Sequence, residues 1–256
     1  MDSRLVAEIR ELEETHWWYR GRRRIVGEQI QLLGLRPGIE ILDAGCGSGR
    51  NMVDLALIGP VTGLDIDEPT VALAQARDVG EVVHGSITEM PFAAERFEFA
   101  ICTDVIEHIE DDALALRELH GVLAPGGLLL VTVPAYKALW GEHDVINQHK
   151  RRYTRRSLAS VAASAGWEAV YSTYFNGLLL PAAAAHRWLS RLRYSPARPA
   201  SSDLQRTPGY LEPALERTLA LEAQLIARGR RIAAGLSLML VLRKPPGTRT
   251  PAPRLD

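Results

Sequence analysis

Short apolar runs alternate with helix-patterned segments from Glu40 to Phe175. This alternation limits the possible folds more than any other feature of the chain. The runs EILDA (40–44), PVTGLDI (60–66), EVVHG (81–85), FEFAICT (97–103), LLLVTVP (128–134) and WEAVYSTYF (167–175) read as strands. Between them SGRNMVDLAL, EPTVALAQAR, DALALRELHGVL and TRRSLASVAASAG read as helices, with Pro69 near one start and Thr154 as an N-cap. Strands alternating with helices pair in parallel, because each crossover carries a helix over a sheet face. GLSLMLVLRKP (235–245) supplies a seventh strand. The expected fold is α/β, a seven-stranded, mostly parallel sheet with helices on both faces.

Two regions stand outside the alternation. Leu5, Ile9 and Leu12, then Ile25, Val26, Ile30 and Leu33, recur at helical spacing. Residues 1–36 therefore read as an N-terminal helical segment, which the resemblance described below makes a lid, ended by Gly34 and the Pro37-Gly38 turn. The core follows over 37–175. Roughly sixty residues then separate the last two strands, too many for a structureless loop in a compact domain. Residues 176–234 are expected to be a helical insertion or cap. It would hold Leu178, Leu179, Leu180, Trp188 and Leu189, edged by Arg187, Arg191 and Arg193, then a Ser/Pro-rich link and a helix over 210–231. Residues 235–245 return to the core, and 246–256 read as a disordered Pro-rich tail.

A net charge of −1 gives no global attraction to nucleic acid. The charge is uneven, however. Gly38 to His120 carries 17 acidic residues against 4 arginines, and His186 to the end carries 13 basic against 5 acidic. Solvated faces explain most such differences. A basic lobe would also suit an anionic acceptor or, at most, peripheral membrane contact. Two cysteines are too few for a disulfide framework. The N-terminus has no apolar signal region, so a cytoplasmic monomer or homodimer is expected.

The first strand runs into DAGCGSGR. A glycine-rich turn between strand and helix lets a ligand approach the backbone and meet the free N–H groups of the helix start. The dinucleotide fingerprint needs a third glycine where Arg50 stands, and no Gly-Lys-Ser/Thr makes a phosphate loop. The spacing of Gly45, Gly47 and Gly49 after Asp43 instead resembles the D-x-G-x-G-x-G motif of class I S-adenosylmethionine (SAM) dependent methyltransferases, of the small-molecule type. Asp65 at the end of VTGLDI, the stretch HGSITEMPF, and FEFAICTDVIEHIED followed by LAPGGLLLVTVP extend the resemblance over residues 39–134. It implies a Rossmann-like core and SAM as cofactor. It also implies a cofactor site built from Asp43, Gly45, Cys46, Gly47, Gly49, Asp65, Ile66, Ser86, Ile87, Thr103 and His108. Asp65 would accept the ribose hydroxyls and Asp43 the amino group. Ser86 departs from the family's usual aspartate at the adenine.

Ligands of such sheets bind beyond the carboxyl ends of the strands. Thr103, Asp104, Glu107 and His108 follow the fourth strand. TDVIEH there lacks the Asn/Asp-Pro-Pro-Tyr/Phe of base and glutamine methyltransferases. After the fifth strand come Tyr136, Trp140, His143, Asp144, His149, Arg151, Arg152 and Tyr153. Aromatic walls, arginine anchors for an anionic group and a histidine base would suit a small, partly apolar acceptor. His143 is the first choice of base, with His149 and His108 behind it. Trp17, Trp18 and Tyr19 in THWWYRGRRR resemble the lid that closes over such sites. His143, Asp144 and His149 could ligate a metal, but their spacing is not that of a ligand set, and none is expected. The resemblance covers C-, O- and N-methyltransferases, and O-methylation is expected ahead of the other two, in natural-product, glycan or lipid-linked metabolite biosynthesis. An RNA or protein methyltransferase and a non-catalytic SAM-binding regulator stand as alternatives.

Overall fold

A computed structural model describes residues 12–192 and 208–246. The helix expected before Leu12, most of the Ser/Pro-rich link and the tail from 247 lie outside the described residues. So do the side chains of Trp188, Leu189 and Arg191, and Arg193 as a whole. The strands are β1 (Ile41–Ala44), β2 (Val61–Asp65), β3 (Glu81–His84), β4 (Phe97–Thr103), β5 (Leu123–Pro134), β6 (Glu168–Phe175) and β7 (Ser237–Arg243). They form one sheet in the order β3-β2-β1-β4-β5-β7-β6. The first five strands pair in parallel, and β7 runs antiparallel between β5 and β6.

Helices α1 (Trp17–Leu32), α2 (Arg50–Leu55), α3 (Glu68–Gln75), α4 (Asp112–Val122), α5 (Glu142–Ile146), α6 (Arg155–Ser164), α7 (Leu180–Leu192) and α8 (Glu212–Ala227) complete the fold. Neighbouring residues of β1 serve opposite faces. Leu42 and Ala44 join Leu116 and Leu119 of α4 and Leu158 and Ala162 of α6. Ile41 joins Ile25 and Ile30 of α1, Met52 of α2, and Leu219 and Ala223 of α8. A strand buried on both faces in this way reads as an unbroken apolar run.

The capping expected at Thr154 is present, with its hydroxyl accepting from Ser157 N at 3.1 Å. Pro125-Gly126-Gly127 does not separate helix from strand. Strand β5 already starts at Leu123, and these residues take up a register shift between Phe97 and Phe99. Gly126 (φ 81°) makes the kink, and its N–H donates to Lys244 O at 3.0 Å.

One expectation about the appendages needs correction. Trp17, Ile25, Val26 and Ile30 of α1 are buried in the core. At about 1.5–3 kcal/mol for each buried side chain, a helix held this way is a layer of the fold and not a lid that opens. In the segment 176–234, α7 sends Arg187 toward Asp144 at 3.9 Å, and α8 lies along α1, so closely that a Cβ on Gly21 would stand 2.1 Å from Leu219 Cδ1.

Candidate active site

The glycine loop follows β1 at the middle of the sheet. Gly45, Gly47 and Gly49 all have positive φ (79°, 53° and 78°), where a side chain is strained. Each is required for a different reason. A Cβ on Gly45 would lie 2.3 Å from Val105 Cγ2, and one on Gly49 would lie 2.9 Å from Ala74 Cβ. A Cβ on Gly47 would meet nothing within 4 Å, so this glycine borders open space. Asp65 ends β2 beside the loop. Its carboxylate accepts from Gly47 N at 2.8 Å and Asp67 N at 2.9 Å. Ser86 closes its own turn by accepting from Thr88 N at 3.2 Å. Ile87 is buried in the core, and Ile66 stands out in solvent.

Asp43 is the anomaly of the site. It is 0% exposed, and neither carboxylate oxygen has a hydrogen-bond partner among the described residues. Burial pushes its pKa up to about 7, with the Arg22 charge opposing and the Asp65 charge adding. A buried, unsatisfied carboxylate is costly and calls for a missing donor or cation. The ammonium of a bound amino acid moiety is such a group. Cys46 lines the cavity over the glycine loop, but burial holds its thiol protonated, so it is no nucleophile.

The turn preceding α1 lies over this loop. Glu13 accepts from Ser48 Oγ and from Arg77 Nη2 at 3.0 Å, and Arg77 also donates to Ser48 O at 2.7 Å. Glu14 pairs with Arg50 at 2.7 Å. From α1, Arg22 pairs with Asp104 and lies over the Trp18 ring at 4.8 Å. These groups close the site to a cavity of about 100 Å³, lined by Tyr19, Arg22, Gly47, Asn51 and Thr103 among others. Sites that engulf a small molecule measure ~300–1,000 Å³, so the wall contributed by the N-terminal turn is drawn in. Asn51, which donates to Thr103 Oγ1 at 3.2 Å, was not expected from the sequence. Its place in the first turn after the glycines is the signal that could have found it. Nothing in a run of arginines singles out Arg22.

On the acceptor side the chain leaves β4 and β5 through two strained residues, Asp104 (φ 56°) and Tyr136 (φ 55°). Three histidines expected as rival bases come together here. The His149 ring lies 4.7 Å from His108 and 5.8 Å from His143, each edge-on. Burial, and then His149, push the His108 pKa down, while a hydrogen bond to the Asn147 backbone opposes. His149 Nδ1 sits 2.9 Å from Asp144 Oδ1.

Asp144 is the hub of this rim. It accepts from Arg152 Nε at 2.6 Å, Arg152 Nη2 at 3.0 Å and Gly141 N at 2.8 Å. Burial alone would raise its pKa, but the bonds from His149 and Arg152, the Arg152 charge and the Gly141 N–H hold it well below the usual carboxylate range. Arg152 also donates to Ala135 O at 3.0 Å. With its side chain 3% exposed, it braces the fold and does not anchor an acceptor as expected. Tyr153 likewise turns inward, giving its hydroxyl to Asp112 at 2.7 Å. Trp17 is a core ring and not part of a pocket wall. Arg187 turns toward Asp144 at 3.9 Å. Tyr19, Trp18, Tyr136, Trp140 and Arg151 keep partly open positions. Tyr136 stacks on Tyr174 at 5.1 Å, and Arg151 pairs with Asp112 at 3.0 Å.

A Rossmann-like sheet of this order, with a glycine loop after β1 and an acid ending β2, is the arrangement that class I SAM-dependent methyltransferases share. Residues 42–131 match the model described as a methyltransferase domain, and SAM is the cofactor of this class. A protein of Mycolicibacterium smegmatis, named a probable S-adenosylmethionine-dependent methyltransferase, is 34% identical over 61% of this chain and 62% of its own length. The demethylmenaquinone methyltransferase of Staphylococcus aureus is 28% identical over 46% of this chain and 54% of its own length. The chain thus spans less than two thirds of these relatives. In fold it resembles a chain of the Haloferax volcanii complex of the Trm112 methyltransferase activator with a methyltransferase (TM-score 0.62, 17% identity, 94% of both chains). Among the described residues no helix is long and apolar enough to cross a membrane.

Proposed function

We propose that the chain transfers a methyl group from SAM to a small-molecule acceptor, with a hydroxyl oxygen favoured over carbon or nitrogen. The observation that carries the cofactor half is Asp43, a fully buried carboxylate without a partner beside an open glycine. Asp43 would take the SAM ammonium, and Gly47 gives the methionine moiety room. Asp65 would take the ribose hydroxyls with the lone pairs its backbone donors leave free. SAM supplies a methyl group made electrophilic by its sulfonium.

The acceptor half rests on the histidine row and on the half-open rings Tyr19, Tyr136 and Trp140. A hydroxyl must lose its proton as it is methylated. His143, half-buried at the end of the row, is the base we assign. The relative named a demethylmenaquinone methyltransferase supports a small-molecule acceptor.

The test is incubation with methyl-labelled SAM and small-molecule extracts, followed by mass spectrometry of the labelled products. Label in a small molecule is expected. His143→Ala should lower turnover by about 10²-fold or more with SAM affinity unchanged. Label found only in RNA or protein would replace this reading. Saturable SAM binding without transfer to anything would make the chain a SAM-dependent regulator.

A further inference from the structure

Three side chains that could ligate a metal meet on the acceptor rim. One carboxylate oxygen of Glu107 and one ring nitrogen each of His108 and His149 all lie within 4.8 Å of one another. Two come from the short turn after β4, and the third from the segment after α5. Glu107 is 1% exposed, and its Oε2 has no hydrogen-bond partner among the described residues. Such a group wants a cation. The guanidinium groups nearby are already engaged, Arg22 by Asp104 and Arg152 by Asp144.

Both imidazoles are prepared for the role. His149 Nδ1 lies 2.9 Å from Asp144 Oδ1, a contact that fixes the ring and leaves Nε2 for a ligand role. His108 hydrogen-bonds to the Asn147 backbone, which orients its ring. A carboxylate or backbone carbonyl behind each ring is the arrangement that orients metal-bound histidines. Two nitrogens with one carboxylate suit first-row transition ions rather than Mg²⁺ or Ca²⁺, and three ligands leave coordination positions open.

We propose that Glu107, His108 and His149 bind one divalent first-row transition-metal ion, with its open positions turned to the acceptor rim. This site differs from the His143, Asp144, His149 set considered from the sequence. Arg152 and Gly141 occupy Asp144, and the carboxylate ligand comes instead from Glu107, far away along the chain.

Binding does not depend on methyl transfer, so the test reads binding. The full chain is titrated with Co²⁺ and followed by visible absorption and calorimetry. One ion per chain is expected, with d–d bands and no thiolate charge-transfer band, because Cys46 and Cys102 lie outside the cluster. Glu107→Gln, His108→Ala and His149→Ala should each weaken binding by about 100-fold or more. Absence of saturable binding at millimolar Co²⁺ overturns the proposal. So does any of these variants that melts cooperatively and binds as tightly as the unmodified chain. If the variants do not fold, Mn²⁺ added to the unmodified chain must broaden the His108 and His149 ring protons ahead of those of His84 and His120. Equal broadening of all four also overturns it.

Discussion

Asp43 and Asp144 are both 0% exposed, yet their surroundings are opposite. Asp144 receives Arg152, His149 and the Gly141 N–H, and its pKa is held far down. Among the described residues Asp43 receives nothing, and its pKa is pushed up to about 7. Desolvation acts on both, and only the partners differ. A satisfied buried carboxylate stabilises the fold around it. An unsatisfied one costs stability until something binds. The contrast therefore separates a structural hub from a binding site without reference to any relative.

The largest effect should fall on the hub. Asp144→Ala leaves Arg152, with its side chain 3% exposed, as an uncompensated charge. The cost should be about 3–5 kcal/mol, read from urea unfolding of the chain without ligand. A loss below about 1 kcal/mol would mean that Arg152 finds water or another acceptor, and Asp144 would lose its role as hub. Asp43→Asn should do the reverse. Removing the orphan charge should leave stability unchanged or higher, while SAM affinity measured by calorimetry drops by about 2–3 kcal/mol, the scale of a hydrogen bond to a charged group. Unchanged SAM affinity in a folded Asp43→Asn chain would break the contrast at its more important end.

How far this was legible in the sequence differs between the two regions. The sheet and the glycine loop were legible, because local patterns dictate them. EILDA, VTGLDI and FEFAICT are apolar runs, and Gly45, Gly47 and Gly49 stand where positive φ and close packing demand them. Asp43 could be named from its place before the loop, although nothing in the sequence shows that it is unpartnered. The rim was not legible. Arg151, Arg152 and Tyr153 are consecutive residues of one chemical promise, yet Arg152 and Tyr153 turn inward while Arg151 stays at the surface. That choice depends on Asp144 and Asp112, which only the fold brings near. The same holds for α1. HWWYRGR is rich in exposed-looking groups, and its role as a core layer is decided by α8, some two hundred residues later. Glu107 and His149 meet for the same non-local reason.

The smallest predicted effect tests the contrast on the native chain, by pH alone. Asp43 is an acid whose folded pKa is raised. Between its ordinary value of 3.8 and about 7 the folded chain holds a proton that the unfolded chain has lost. By linkage, its contribution to stability falls as pH rises through that window, so acidification from pH 7.5 toward 5.5 relieves the ligand-free chain at this site. SAM binding should run the other way. Pairing an ammonium with Asp43 needs the ionised carboxylate, and below about 7 that form must be regained at about 1.4 kcal/mol per pH unit. Calorimetry at several pH values should therefore show SAM affinity falling toward about tenfold per unit below pH 7. In Asp43→Asn the slope should vanish. Asp144 cannot supply this slope, because its pKa lies far below the window and it stays ionised throughout. A flat profile in the native chain would mean that Asp43 remains ionised without a partner. Its burial would then be offset within the apo chain, and the difference between the two aspartates would be one of hydrogen-bond count alone.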